Sequence, residues 1–162
     1  MKKLYTTISL CLLLCWAVTS NLYAQPGQCL GGGCTGGVSF GAIQSTTSNT
    51  FVNAVGCTFG GEFNSFNVTM GNVYEWSMCA ADGAAVGIGD NTLTLRNTTG
   101  TIFCYSDDLC GLSAKILWTA TFTGVVRVHL NQFPCTPATV CNTMRWRQVS
   151  GGAAVDDLAG CG

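Results

Sequence analysis

Three aspartates in this sequence could bind a metal ion. Asp107 and Asp108 are adjacent, and Asp90 precedes the strand-like stretch before them. In a β-sandwich these positions fall in loops at strand ends, where carboxylate oxygens and backbone carbonyls together suit calcium. Aspartate also initiates turns by accepting hydrogen bonds from its own backbone, and residue chemistry alone favours that role. Calcium is thus the one cofactor that the sequence suggests, with turn formation as the alternative.

The cysteines indicate a disulfide framework. Of the 11 cysteines, two (Cys11 and Cys15) lie in the first 24 residues, which leaves nine. A zinc site lacks ligands, because no Cys-x-x-Cys pair occurs and His129 is the only histidine. An odd number means that at least one thiol stays free or pairs with another molecule. The nine are Cys29, Cys34, Cys57, Cys79, Cys104, Cys110, Cys135, Cys141 and Cys161.

No catalytic motif emerges from the sequence. His129 is the only candidate imidazole base, and it alternates with the apolar positions of its strand, so we interpret it as a surface residue. Glu62 and Glu75 could form a glycosidase pair, but their spacing does not place them across a cleft. The prediction is therefore that the protein is not an enzyme.

The tryptophans could serve sugar binding or core packing. Sugar-binding modules stack aromatic rings on pyranose faces, but Trp76, Trp118 and Trp146 fall on apolar stripes of predicted strands. Large aromatic side chains dominate the cores of sandwiches, so core packing is the favoured use.

The N-terminus has the features of a secretory signal peptide. Lys2 and Lys3 precede an uncharged apolar run over residues 8–18, and Ala24 is a small residue suited to cleavage. The apolar run is too short for a membrane span, which needs roughly 20 residues. We expect cleavage after Ala24, no transmembrane segment in the mature chain, and a location outside the cell or on the surface of a bacterium.

The composition is unusually poor in charge for an exported protein. Charged residues make up 9% of the chain, hydrophobic residues 48%, and the mean hydropathy is +0.34. A surface with so little charge favours burial against copies or partners, so we expect self-association. The net charge of −1 argues against nucleic-acid binding, which requires a basic surface.

Period-two alternation of apolar and polar residues runs through most of the mature chain and predicts half-buried strands. We predict an all-β fold, a disulfide-stabilised antiparallel β-sandwich with jelly-roll-like character. The expected organisation is a signal peptide over residues 1–24, a Gly- and Cys-containing segment over 25–61, the sandwich over 62–150 and a tail over 151–162. The clearest alternating positions are Phe66, Val68, Tyr74, Trp76, Leu93, Leu95, Ile116, Trp118, Val126, Val128, Met144 and Trp146.

Several short motifs resemble the pre-peptidase C-terminal β-sandwich modules of exported bacterial proteins. They lie at residues 74–79, 90–95, 105–111, 118–120 and Gly124. The resemblance implies that Cys79 and Cys110 are bridged, and that the three aspartates gather at one end of the sandwich, in some members around calcium. It also implies an accessory, non-catalytic role.

These observations favour a secreted structural or adhesive subunit. The glycine-rich lead segment, the low charge and the odd cysteine fit assembly by strand addition, in which a detachable N-terminal strand completes the sheet of the next copy. The alternative is a carbohydrate-binding or accessory module that recognises a surface glycan. A secreted hydrolase is the least favoured reading.

Overall fold

The computed structural model describes Cys29 and residues 31–150. The predicted signal peptide, the tail over 151–162 and Cys161 lie outside these residues. Within the described residues, no helix has the length and hydropathy to cross a membrane. The strands are β1 Val38–Ser39, β2 Val52–Asn53, β3 Thr58–Gly60, β4 Glu62–Val68, β5 Val73–Ser77, β6 Asn91–Asn97, β7 Ile102–Ser106, β8 Lys115–Thr119, β9 Gly124–Gln132, β10 Ala138–Asn142 and β11 Arg145–Ser150, with one 3-10 turn at Ala80–Asp82.

The strands form two main sheets and one small sheet. The five-stranded sheet has the order β1-β4-β9-β6-β7, the four-stranded sheet β2-β11-β5-β8, and the small sheet pairs β10 with β3. Every strand pair is antiparallel except β1 with β4, which is parallel. The prediction of an all-β, disulfide-stabilised antiparallel sandwich is confirmed.

The core lies between the two main sheets and is built around aromatic rings. Trp76 on β5 and Trp146 on β11 are directly paired and stack at 6.5 Å between ring centroids. Phe66 of the opposite sheet lies 5.5 Å from the ring of Trp76 and 4.6 Å from that of Trp146. All three side chains are buried. The alternation of apolar residues therefore identified the inward face correctly, because side chains of a strand alternate between its two faces.

The N-terminal segment is part of the same sandwich. β1 pairs with β4, β2 pairs with β11 and β3 pairs with β10. Disulfides link Cys29 to Cys104, Cys34 to Cys135 and Cys57 to Cys141. The described part of the predicted segment over 25–61 is thus paired with, and disulfide-linked to, strands of the sandwich, and the predicted bounds at 25–61 and 62–150 stay a prediction. Short apolar pairs in a sequence indicate a strand but do not indicate which sheet receives it.

The fourth disulfide joins Cys79, before the 3-10 turn, to Cys110. The four disulfides close stretches with sequence separations of 75, 101, 84 and 31 residues. Cross-links over stretches of this length restrict the unfolded chain and so stabilise the folded one. Every cysteine in the described part of the chain is paired.

We predict that replacing both Cys79 and Cys110 with Ala lowers the free energy of unfolding by roughly 2–5 kcal/mol. The expected loss reflects the greater conformational freedom that the unfolded chain gains. Denaturant unfolding of the purified protein measures it, and peptide mapping without reduction identifies the linked cysteines. An unchanged free energy of unfolding, or Cys79 recovered in a peptide linked to another cysteine, would contradict the prediction.

Candidate functional site

The structure brings the three candidate metal ligands together. One carboxylate oxygen from each of Asp90, Asp107 and Asp108 lies within 4.8 Å of the others. Asp90 immediately precedes β6 and Asp107 immediately follows β7. Because β6 and β7 are antiparallel neighbours, the start of one and the end of the other lie at the same end of the sheet. Asp108 has a φ of 52°, a left-handed conformation that aspartate tolerates.

The electrostatics of this cluster favour a cation. One carboxylate oxygen of Asp90 (Oδ1) and one of Asp107 (Oδ1) are buried and accept no hydrogen bond from the described residues. Burial raises the pKa of the Asp107 carboxyl, and the negative charges of Asp108 and Asp90 raise it further. The pKa of the Tyr105 hydroxyl is raised by burial and by the charge of Asp107. A hard divalent cation would neutralise this repulsion, and an all-oxygen ligand set suits calcium.

A second charged cluster, which the sequence did not reveal, lies on the outer face of the four-stranded sheet. Glu75 is buried, and its carboxylate contacts Lys115 Nζ and Arg147 Nε, each at 2.6 Å. Lys115 also pairs with Asp82 at 3.0 Å. The ring of Phe51 lies 4.3 Å from the guanidinium carbon of Arg147 and covers the network. Glu75 is therefore held between two cations, and both of its carboxylate oxygens are engaged in ion pairs.

Two further observations argue against Glu62 and Glu75 as a glycosidase pair. Glu62 lies on β4 of the five-stranded sheet, whereas Glu75 lies on β5 of the four-stranded sheet. One carboxylate oxygen of Glu62 accepts a hydrogen bond from the backbone N–H of Phe59 at 2.7 Å.

The Asp82 carboxyl has a structural role, because burial opposes its charge but the hydrogen bonds from Ser77 and Lys115 lower its pKa overall.

His129 is buried, and the interpretation of it as a surface residue is wrong. Its side chain is only 3% exposed, and its ring lies 4.7 Å from that of Phe63. The N-terminal segment covers it so closely that a Cβ on Gly37 would lie 3.3 Å from His129 Nδ1. His129 Nε2 has no hydrogen-bond partner among the described residues. Burial, followed by the positive charges of Arg96 and Arg127, lowers the pKa of His129 to about 4.

The three tryptophans in the described residues do not form an exposed platform. Trp76 and Trp146 are fully buried. Trp118 is half-buried, with its ring stacked 5.4 Å from that of Phe103 and 6.2 Å from that of Phe122. These rings pack against the core, as the apolar stripes predicted.

Comparison with known proteins places the chain in a family. The model of a family described as "Domain of unknown function (DUF8695)" matches residues 40–150. The chain belongs to this family. No curated protein matches it. Among solved structures, it is similar to the pre-peptidase C-terminal domain of a collagenase from Bacillus anthracis, with 15% identity, a TM-score of 0.41, and coverage of 65% of this chain and 93% of that one. A likeness of this degree carries no conclusion about function.

We predict that the protein loses stability as the pH is lowered from about 6.5 towards 4. The folded pKa of His129, about 4, lies below its ordinary 6.5. The unfolded chain therefore takes up this proton first, and the free energy of unfolding falls by at most about 3 kcal/mol. Urea unfolding at several pH values measures the slope.

The His129→Gln variant is the control, because its side chain does not titrate. Its free energy of unfolding should change less over this pH range than that of the parent protein. An equal slope in both proteins would assign the pH dependence to carboxylates instead.

Proposed function

We propose that this protein is an extracellular, non-catalytic structural or adhesive subunit that acts through the surface of an intact sandwich. The observation that carries the proposal is the set of four disulfides, which hold both main sheets and the N-terminal segment together. Disulfides form and persist in oxidising compartments such as the cell exterior. This observation supports export. It also supports a role in which each copy keeps its own strands and stays folded outside the cell.

A non-catalytic role is supported by the state of the ionisable side chains. His129 lies beneath the N-terminal segment with two arginines nearby, and Glu75 is paired with two cations. A hydrolase requires a nucleophile or base held by an acid and open to substrate. The described residues do not assemble such a group.

The disulfides restrict how copies of the protein could assemble. Once Cys29–Cys104, Cys34–Cys135 and Cys57–Cys141 have formed within one chain, exchange of the N-terminal strands would require them to open. We therefore propose that self-association uses the outer surface. The small sheet exposes Phe59 at 39% and Val140 at 46%, and β3 runs antiparallel to β10. We propose that a second copy of the chain packs against these apolar side chains, since the chain is poor in charge.

Calcium at the aspartate cluster forms part of the proposal. The cluster contains buried carboxylate oxygens without donors among the described residues, whereas the Glu75 network is neutralised by its own cations. An ion at Asp90, Asp107 and Asp108 would link the start of β6 to the end of β7. Extracellular modules bind calcium with dissociation constants of roughly 0.1–1 mM, which matches the calcium available outside cells.

We predict that calcium raises the melting temperature and that a chelator lowers it. A concentration about tenfold above the dissociation constant should stabilise the fold by roughly 1.4 kcal/mol. Asp107→Asn should abolish this response, and without calcium this variant should be as stable as the parent or more stable, because a like charge is removed. Differential scanning calorimetry measures both effects.

Asp82→Asn is the matched control for calcium, since Asp82 pairs with Lys115 away from the cluster. This variant should lose some stability but keep the response to calcium. Equal melting temperatures of the parent protein with calcium and with chelator would contradict calcium binding. The three aspartates would then be turn-forming residues.

We predict that the oxidised mature protein forms high-mass species without hydrolysing polysaccharide or peptide substrates. Light scattering and negative-stain electron microscopy measure assembly. The double variant Phe59→Lys with Val140→Lys should shift the population towards monomer, since lysines repel across a shared interface. Met70→Lys, at another exposed apolar position, is the control and should assemble as the parent does. A strictly monomeric parent would overturn self-association, and detectable hydrolysis would overturn the non-catalytic role.

A further inference from the structure

An open groove of about 420 Å³ lies where the two main sheets meet the loop that follows β1. One wall is the end of β4, and the opposite wall is formed by β5 and β11. Volumes of this order are typical of small-ligand sites. The lining residues are Ser45, Thr46, Thr47, Asn67, Thr69, Asn72, Tyr74 and Gln148.

The side chains that line the groove are polar and uncharged, although their carbon atoms contribute much of its exposed surface. All eight lining residues offer a hydroxyl or an amide group. A charged ligand would lose hydration here without gaining a counter-charge, and an apolar ligand would leave the remaining hydrogen-bonding capacity of the hydroxyl groups unused. A neutral ligand rich in hydroxyl groups can both donate to and accept from such side chains.

Three hydroxyl groups of the groove can each donate one further hydrogen bond. Ser45 Oγ, Thr46 Oγ1 and Tyr74 Oη each accept a hydrogen bond from the protein, at 2.9, 3.0 and 3.0 Å. Each hydroxyl therefore has an oxygen fixed in place and a hydrogen that can point into the groove. Tyr74 as a whole residue is 2% exposed, so the core fixes the position of its hydroxyl at the base of the groove.

The walls of the groove are held in place by both main sheets. The backbone N–H of Asn67 on β4 donates to Gln44 O at 2.9 Å, and that of Gln148 on β11 donates to Ser48 O at 2.9 Å. The loop over residues 45–47 is thus held between these two bonds. A preformed site loses less conformational freedom when a ligand binds.

We infer that this groove binds a neutral oligosaccharide through hydrogen bonds to its hydroxyl groups. The inference deepens the proposed adhesive role and rests on it, because it names the class of surface that the subunit would recognise. It differs from the aromatic platform expected of a carbohydrate-binding module, since Tyr74 presents its hydroxyl and not its ring face. Without ring stacking, the affinity is expected in the range of about 0.1–10 mM.

Titration of the oxidised protein with soluble glycans, followed by two-dimensional NMR, tests the inference. The probes are neutral cello-, manno-, xylo- and N-acetylchito-oligosaccharides. Oligogalacturonate is the acidic comparison, and an uncharged Asn- and Gln-rich peptide is the non-sugar comparison. At least one neutral oligosaccharide should shift the amide signals of the groove, and the acidic sugar and the peptide should not.

Thr47→Ala with Thr69→Ala is the decisive variant, because both threonines are exposed and line the groove. It should weaken binding by about fivefold or more, since each lost hydrogen bond is worth roughly that factor, and it should unfold at the same temperature as the parent. Thr98→Ala, an exposed threonine in the turn after β6, should bind as the parent does.

The inference is overturned by any of three results: no neutral oligosaccharide shifts the groove signals up to about 10 mM, the peptide or acidic sugar binds equally well, or the double variant binds unchanged. Light scattering on the same samples separates this outcome from the proposed function. A protein that assembles without binding any sugar would refute the groove alone, whereas hydrolysis of the sugars would refute the non-catalytic role.

Discussion

Much of this structure depends on the covalent attachment of the N-terminal segment to the sandwich. Cys29, Cys34 and Cys57 tie it to β7, to the loop after β9 and to β10. Along its course the segment covers His129 and contributes the loop that forms one side of the polar groove. The backbone N–H of Cys34 also donates to Thr94 Oγ1 at 2.9 Å on the five-stranded sheet. Without these links, a chain with such short N-terminal strands would have few contacts to keep it in place.

The Glu75 network and the aspartate cluster show how carboxylate side chains serve different purposes. Glu75 is buried but contacts two cations at 2.6 Å, so its charge is balanced within the protein. Asp107 lies near two other carboxylates, and burial, followed by the negative charges of Asp108 and Asp90, raises the pKa of its carboxyl. Balanced charge stabilises a fold locally, whereas unbalanced charge of one sign favours a bound counter-ion. The first cluster therefore has a structural role, whereas metal binding at the second is our proposal.

The strands and the core could be predicted because they follow from local alternation. Leu93 and Leu95 on β6, for example, both face the core and are fully buried. The disulfide pairing could not be derived in this way, since eight cysteines allow roughly a hundred pairings. The Cys79–Cys110 link was suggested by resemblance alone, and the other three links depend on how distant strands meet.

The sequence by itself determined the fold class, the inward faces of β4, β5, β6, β8, β9 and β11, and the grouping of cysteines into a disulfide framework. Only the tertiary structure decided what covers the outward faces, because alternation with period two distinguishes two faces but does not say whether a face meets solvent or another segment. His129 and Glu75 both alternate with core residues, and both are buried by segments distant in sequence. The polar groove likewise combines residues from positions 45 to 148, which only the pairing of β4, β5 and β11 within their sheets brings together.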